Sequence, residues 1–314
     1  MKPYTIGLYE KAMPSTLTWK EKFEAAKEAG YDYVELSIDE TEEKIARINM
    51  TKEERLELVE CMYEAGLPFR SMCVSALTKY SLGSSNLQYS ARGLLIAEKA
   101  IELADDLGIR IVMIPGYDVY YETSTAKTQQ RYIRNLKKVA DIAASYGVII
   151  GLETMENCFM NTVWKAMYYV RQIDSLYLNI YPDVGNMKNA AVADGHSEVQ
   201  DLLSGKGHIA AVHLKETMPG VFREIPYGEG HVNFREMIEA AWSIGIRKFV
   251  TEFWYKGSEH WREDLANANQ TMRAILDDVS GAFEYGKGGR TDAGTVKSFR
   301  SVCRSGSGYN SNIA

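Results

Sequence analysis

Residues 126–155 read AKTQQRYIRNLKKVADIAASYGVIIGLETM: a helical apolar period up to Tyr146, a glycine, and a short apolar run that carries Glu153. Apolar residues three and four apart predict a helix over Ala126–Tyr146, and the β-branched run predicts a strand over Val148–Met155. Gly147 between them supplies the left-handed residue that ends a helix and turns the chain back. Working outward in both directions, the same unit recurs. Strands are predicted at Tyr4–Glu10, Tyr31–Ile38, Phe69–Ser75, Arg110–Tyr117, Val148–Met155, Leu176–Asp183, Ile209–Glu216 and Phe249–Trp254. Helices are predicted at Trp19–Ala29, Lys52–Ala65, Gln88–Leu107, Ala126–Tyr146, Thr162–Ile173, near Glu198–Leu203, at Phe234–Ile244 and at Glu259–Val279. Eight strand-helix units predict a closed parallel (β/α)8 barrel with its helices outside, a size that folds as one domain. A doubly wound open sheet shows the same alternation, but no GxGxxG follows the first strand and no GxxxxGK(S/T) occurs.

The periodicity stops after Val279. Residues 280–314 are rich in Gly, Ser, Arg, Lys and Asn, so the barrel domain is expected over 1–279 and a disordered or loosely packed tail, outside the chemistry, beyond it. With 46% hydrophobic and 25% charged residues the chain can bury a large core, which excludes global disorder. A net charge of -6 offers no basic footprint for nucleic acid, and small solutes are the expected partners. The opening MKPYTIGLYE has neither the apolar run nor the cleavage site of a secretory signal, and no stretch of about 18 apolar residues could span a bilayer. Cys61, Cys73, Cys158 and Cys303 lack the paired spacing of a zinc ribbon or a disulfide framework, so a cytoplasmic location is expected.

Barrel sites are built at the C-terminal ends of strands, so an ionisable residue closing an apolar run there has the strongest claim to chemistry. Four consecutive strands each deliver one: Glu153 in VIIGLETM, Asp183 in LNIYPDVGN, His213 in AAVHLKE and Glu252 in KFVTEFW. Neighbouring strands lie about 4.8 Å apart, so four such side chains can meet around one ion. Three carboxylates and an imidazole suit Mn²⁺, Mg²⁺ or Zn²⁺ rather than a thiolate-seeking ion. Taken singly, each has a plainer reading: Asp183 as a turn cap, Glu153 or Glu252 as a buried partner of an arginine, His213 as a core histidine. The coincidence at four successive strand ends favours the metal.

In this quartet and its order the chain resembles the xylose-isomerase-like barrels that act as sugar and sugar-phosphate epimerases. The resemblance covers residues 3–279 and is strongest to the branch acting on ketopentose phosphates, in LYEKAMP (8–14), YVELSIDET (33–41), SMCVSA (71–76), GYDVYY (116–121), YPDVGN (181–186), VHLKETMPGVF (212–222) and PYGEGHVNF (226–234). One departure is Glu216, where an aspartate is expected after the lysine of strand seven. The resemblance implies a metal-dependent 3-epimerase interconverting L-xylulose 5-phosphate and L-ribulose 5-phosphate. Glu153 and Glu252 would be the two acid-base groups on opposite faces of the substrate, and Glu153, Asp183, His213 and Glu252 the ligands of a metal that stabilises the enediolate. A homodimer is expected by analogy.

Other polar residues are candidates for substrate contact. Asn186, three residues past Asp183, is placed either as a substrate donor or as a group satisfying its own turn. For the phosphate the candidate cations are Lys11 after strand one, Lys79 after strand three, Lys215 on strand seven and Arg223 in the loop beyond, each also readable as a solvated surface charge; the resemblance favours Arg223. Glu35, in strand two, either bonds a sugar hydroxyl or supports a ligand histidine. Tyr9, Tyr117, Tyr120, Tyr121, Trp254 and Tyr255 either wall a pocket against water or pack the barrel. Competing functions are an aldose-ketose isomerase, which needs more than the five histidines present, an abasic-site endonuclease, opposed by the acidic balance, and a sugar-phosphate sensor without turnover.

Overall fold

The structure, a computed structural model, describes residues 2–284. The helix over Ala126–Tyr146 forms as its period predicts, capped by Thr125 and ended by Gly147 at φ 66°, a left-handed conformation that side chains with a Cβ adopt only at a cost. The eight strands are β1 (Thr5–Tyr9), β2 (Tyr33–Ser37), β3 (Phe69–Cys73), β4 (Ile111–Pro115), β5 (Ile149–Glu153), β6 (Leu178–Tyr181), β7 (Val212–Leu214) and β8 (Lys248–Thr251). All but the first residue of β8 lie inside the predicted ranges.

All strand pairs are parallel, and hydrogen-bonded neighbours run from β6 through β1 and β8 to β7. The ring closes between β6 and β7 through the parallel bridges Ile180–Ile209 and Asp183–His213, with Ile180 N donating to His208 O at 2.7 Å and His213 N to Pro182 O at 2.9 Å. This closure rules out the open-sheet alternative.

Alternation along each strand sorts two cores. Outward residues such as Ile6, Leu36, Val112, Leu152, Ile180 and Leu214 pack against the helices, where each fully buried aliphatic side chain contributes roughly 1.5–3 kcal/mol. Inward residues form a smaller cluster of Tyr9, Tyr33, Cys73, Ile111, Met113, Tyr181, Ala211 and Val250. Two glycines make room for its rings: a Cβ on Gly7 would lie 2.4 Å from the Tyr33 ring, and one on Gly151 would lie 3.0 Å from Tyr181.

Two helices depart from the sequence expectation. Glu42–Ala46 is short, and Val184–Asp194 (VGNMKNAAVAD) is poor in large apolar residues, so neither shows an apolar period. The second forms because Asp183 caps it, accepting from Asn186 N at 2.7 Å, and because Val184, Met187, Ala190 and Ala191 are buried. The last helix, Trp261–Glu284, runs past the boundary read at Val279, and its Phe283 ring lies 6.4 Å from Trp242. The rest of the predicted tail, 285–314, lies outside the described residues.

Candidate metal centre

The register brings the four strand-end residues to one place. Glu153 pairs with Tyr181; two residues further along, on the same face, Asp183 bridges to His213; His213 pairs with Val250, and two residues beyond that comes Glu252. Each step of two keeps the side chain inside the barrel. One ligand atom from each of Glu153, Asp183, His213 and Glu252 falls within a cluster whose members are at most 4.8 Å apart, and all four residues are buried.

His213 Nδ1 faces Glu153 Oε1 at 3.2 Å and Glu252 Oε2 at 3.1 Å. Lys215 Nζ stands 3.1 Å from Asp183 Oδ2 and 3.6 Å from Glu252 Oε2, and donates to Asn186 Oδ1 at 2.9 Å. Burial opposes charge on His213, but Glu35, Glu252 and Glu153 outweigh it and raise its pKa well above the imidazole range. Burial and the neighbouring Glu252 push Glu153 up. Burial would also raise Glu252, yet Lys215 and His213 hold it well below the carboxylate range. For Asp183 burial prevails over Lys215 and the pKa lies well above its usual value.

These residues fit a divalent cation. Asp183 Oδ2 and Glu252 Oε2 are buried without a hydrogen bond of acceptable geometry, although cationic partners stand near both. Buried acceptors are normally satisfied, so two orphans in one cluster call for a further positive partner. Among the described residues, four buried carboxyls, Glu35 included, are ion-paired with one lysine and one histidine. Three oxygens and one imidazole nitrogen are a donor set for Mn²⁺, Mg²⁺ or Zn²⁺.

Above the cluster opens a cleft of about 350 Å³, lined by Lys11, Asp39, Glu40, Thr41, Ser75, Thr78, Tyr120, Tyr121, Glu156, Arg223 and Trp254. Tyr9, Cys73, Glu153, Lys215 and Glu252 also line it. Three cations among the sequence candidates therefore reach the cleft. Lys11 is already bound to Asp39 at 2.6 Å, and Lys215 is enclosed. Arg223 is the most loosely held, 3.6 Å from Glu156 and 5.9 Å from the Trp254 ring centre.

Other candidates are placed elsewhere. Lys79 does not line the cleft: it follows the tight turn Ser75–Thr78 and sets its amine over the Tyr80 ring at 5.3 Å. Asn186 does not line it either, being only 1% exposed and occupied by Thr154 O, to which its amide donates at 2.8 Å, and by Lys215. Glu35 is wholly buried behind His213, whose Nε2 lies 2.7 Å from Glu35 Oε1, while Ser71 and Tyr181 donate to Oε2. Tyr117 is buried against Tyr120 with its hydroxyl on Glu156, and Tyr255 stays outside the cleft. Among the described residues the Glu216 carboxylate makes no ion pair with Lys215; it accepts from backbone amides of the following loop. Thr154 carries no signal in the sequence: its hydroxyl accepts from Asp183 N at 2.9 Å, a role visible only once β5 and β6 are side by side.

The fold and this site define a class, and the sequence matches it: residues 23–275 fit the family model of the xylose isomerase-like TIM barrels, and the chain belongs to that family. Its similar relatives include the L-ribulose-5-phosphate 3-epimerases UlaE of Escherichia coli O157:H7 and of Salmonella paratyphi A, each 37% identical over 276 residues, 88% of this chain and 96% of theirs. Among solved structures, an L-ribulose 3-epimerase superposes with a TM-score of 0.73 at 18% identity, over 92% of this chain and 99% of that one. A family member from Mycobacterium smegmatis, solved in complex with magnesium, gives 0.66 at 17% identity, over 89% and 98%. These two likenesses bear on the fold.

Proposed function

We propose that the protein is a divalent-metal-dependent 3-epimerase interconverting L-xylulose 5-phosphate and L-ribulose 5-phosphate. The observation that carries this reading is that Glu153 and Glu252 both line one cleft and both reach the same nitrogen of His213, in a chain 37% identical to curated 3-epimerases over nearly their whole length.

Inverting a carbon next to a ketone requires a base on one face and an acid on the other. Glu252, lining the cleft, is placed to take the carbon 3 proton. Glu153, lining the same cleft, is placed to return one from the opposite side, and the roles exchange in the reverse direction. A divalent ion held by Glu153, Asp183, His213 and Glu252 would supply Lewis acidity, lowering the cost of negative charge beside the carbonyl. Tyr9, Tyr120 and Trp254 shield the reacting carbon from water, and Arg223, with Lys11 also on the cleft wall, receives the phosphate. Mn²⁺, Mg²⁺ and Zn²⁺ all satisfy the donor set. The reading places the enzyme in the cytoplasm as a homodimer; among the described residues no helix is long and apolar enough to cross a membrane.

The test is direct. Protein stripped with a chelator should not interconvert the two ketopentose phosphates, and adding back Mn²⁺, Mg²⁺ or Zn²⁺ should restore turnover. Absence of conversion with every one of these ions would overturn the assignment.

A further inference from the structure

Glu216 is a buried carboxylate that the proposed proton transfer does not use. It follows Lys215 directly and is 3% exposed, with no ion pair among the described residues. Instead its Oε1 accepts from Thr217 N and Val232 N, each at 3.1 Å, and its Oε2 accepts from Gly228 N at 3.2 Å. Hydrogen bonds to a charged acceptor are roughly twice as strong as neutral ones. The donors come from both ends of one segment, residues 217–232, so a single side chain ties its neck. Gly230 leaves the room: a Cβ there would lie 2.3 Å from Glu216 Oε1. A second tie crosses the same neck, His231 N to Thr217 O at 3.0 Å and Thr217 Oγ1 to His231 Nε2 at 3.1 Å.

A segment of this length closed at its neck is an Ω loop. Arg223 lies near its tip, next to Glu224, which takes a left-handed φ of 67° and whose carbonyl accepts from Lys256 Nζ at 2.7 Å. The Arg223 side chain is 56% exposed, with Glu156 at 3.6 Å and the Trp254 ring centre at 5.9 Å beside it, so its reach over the cleft depends on where the loop backbone runs.

We propose that Glu216 is a positioning residue: by fixing the neck of loop 217–232 it holds Arg223 over the cleft, where the guanidinium selects a ketose carrying a terminal phosphate. This rests on the functional reading above.

The experiment compares wild type, Glu216→Gln, Glu216→Asp and Arg223→Met, each loaded with metal, on a ketopentose 5-phosphate and on the free ketopentose, with amide exchange of residues 217–232 as a second readout. Gln keeps the shape but turns one acceptor into a donor facing an amide N–H. Arg223→Met should raise KM for the phosphorylated ketose about ten- to a hundredfold, the range of one hydrogen bond to a charged group. Glu216→Gln should raise the same KM about fivefold or more with a smaller change in kcat, and should speed exchange across 217–232. Glu216→Asp, which keeps the charge, should recover part of both. Faster exchange with no change in KM, or an equal rise for both sugars, would overturn the role of Glu216. An unchanged phosphate preference in Arg223→Met would instead remove Arg223 as its receptor. A wild type that inverts neither sugar would defeat the functional reading, and this inference with it.

Discussion

His213 Nε2 and Glu35 Oε1 lie 2.7 Å apart, on the side of the imidazole away from Glu153 and Glu252. The carboxylate therefore fixes which nitrogen faces the cluster. Glu35 is itself held by Ser71 Oγ at 2.6 Å and Tyr181 OH at 2.9 Å, so strands β2, β3, β6 and β7 together set the ring. Removing such a support typically costs roughly ten- to a hundredfold in metal affinity. Glu35→Gln should weaken Mn²⁺ binding by about that factor in calorimetry while the far-ultraviolet circular dichroism stays that of the wild type; unchanged affinity would reduce Glu35 to a packing residue.

A second buried carboxylate governs stability. Glu10 is bound by Lys22 at 2.8 Å, Lys44 at 2.6 Å and Arg47 at 2.7 Å, with Trp19 stacked against Lys22 and Arg47. Burial disfavours its charge, but Arg47, Lys22 and Lys44 prevail and hold its pKa well below the carboxylate range. A depressed folded pKa contributes stability that is complete above the unfolded value, about 4.3, and is lost as pH falls from about 5 toward the folded value. Glu10→Gln leaves the buried Lys22 and Lys44 and the partly buried Arg47 facing no charge and should cost about 3–5 kcal/mol at neutral pH. Chemical denaturation should show that gap narrowing in acid; a gap independent of pH would contradict the assignment.

The barrel interior tolerates little. Gly7→Ala places a methyl carbon 2.4 Å from the Tyr33 ring, whose hydroxyl is anchored to Phe249 O at 2.9 Å. Overpacking of this kind typically costs about 1–3 kcal/mol. Thermal unfolding at equal metal load should register the loss, and a midpoint equal to wild type would mean that Tyr33 yields freely.

Truncation separates the last helix from residues 285–314. We propose that those residues add nothing to catalysis, so ending the chain after Glu284 should leave kcat and KM within about twofold. Ending it after Ser280 removes Phe283 from Trp242 and should lower the unfolding midpoint. A large loss of activity in the chain ended after Glu284 would put part of the machinery in the removed segment.

The strands and the metal quartet are legible in the sequence because both are periodic there: an apolar run, often with a glycine before it, eight times, and an ionisable residue near its end in four successive runs. Closure of the barrel is not legible, since the same alternation serves an open sheet and only the Ile180–Ile209 and Asp183–His213 bridges decide. Glu35 and His213 are 178 residues apart, and their contact exists only across a closed ring. Asn186 reads as a substrate donor or a turn residue because VGNMKNAAVAD lacks an apolar period, yet it sits in a helix capped by Asp183 and spends its amide on Thr154 and Lys215. Lys79 looks equivalent to Lys11 in the sequence, but the turn Ser75–Thr78 sends it to Tyr80.

In the proposed reaction Glu153 and Glu252 move a proton at carbon 3 beside one divalent ion. Incubating Mn²⁺-loaded protein with L-ribulose 5-phosphate in deuterated water and following the sugar by NMR tests it directly. Wild type should form the inverted sugar with deuterium at carbon 3, and Glu153→Gln or Glu252→Gln, each folded as the parent, should form no inverted, deuterated sugar. Deuterium at carbon 1, or undiminished formation of the inverted sugar in either variant, would contradict the proposed reaction.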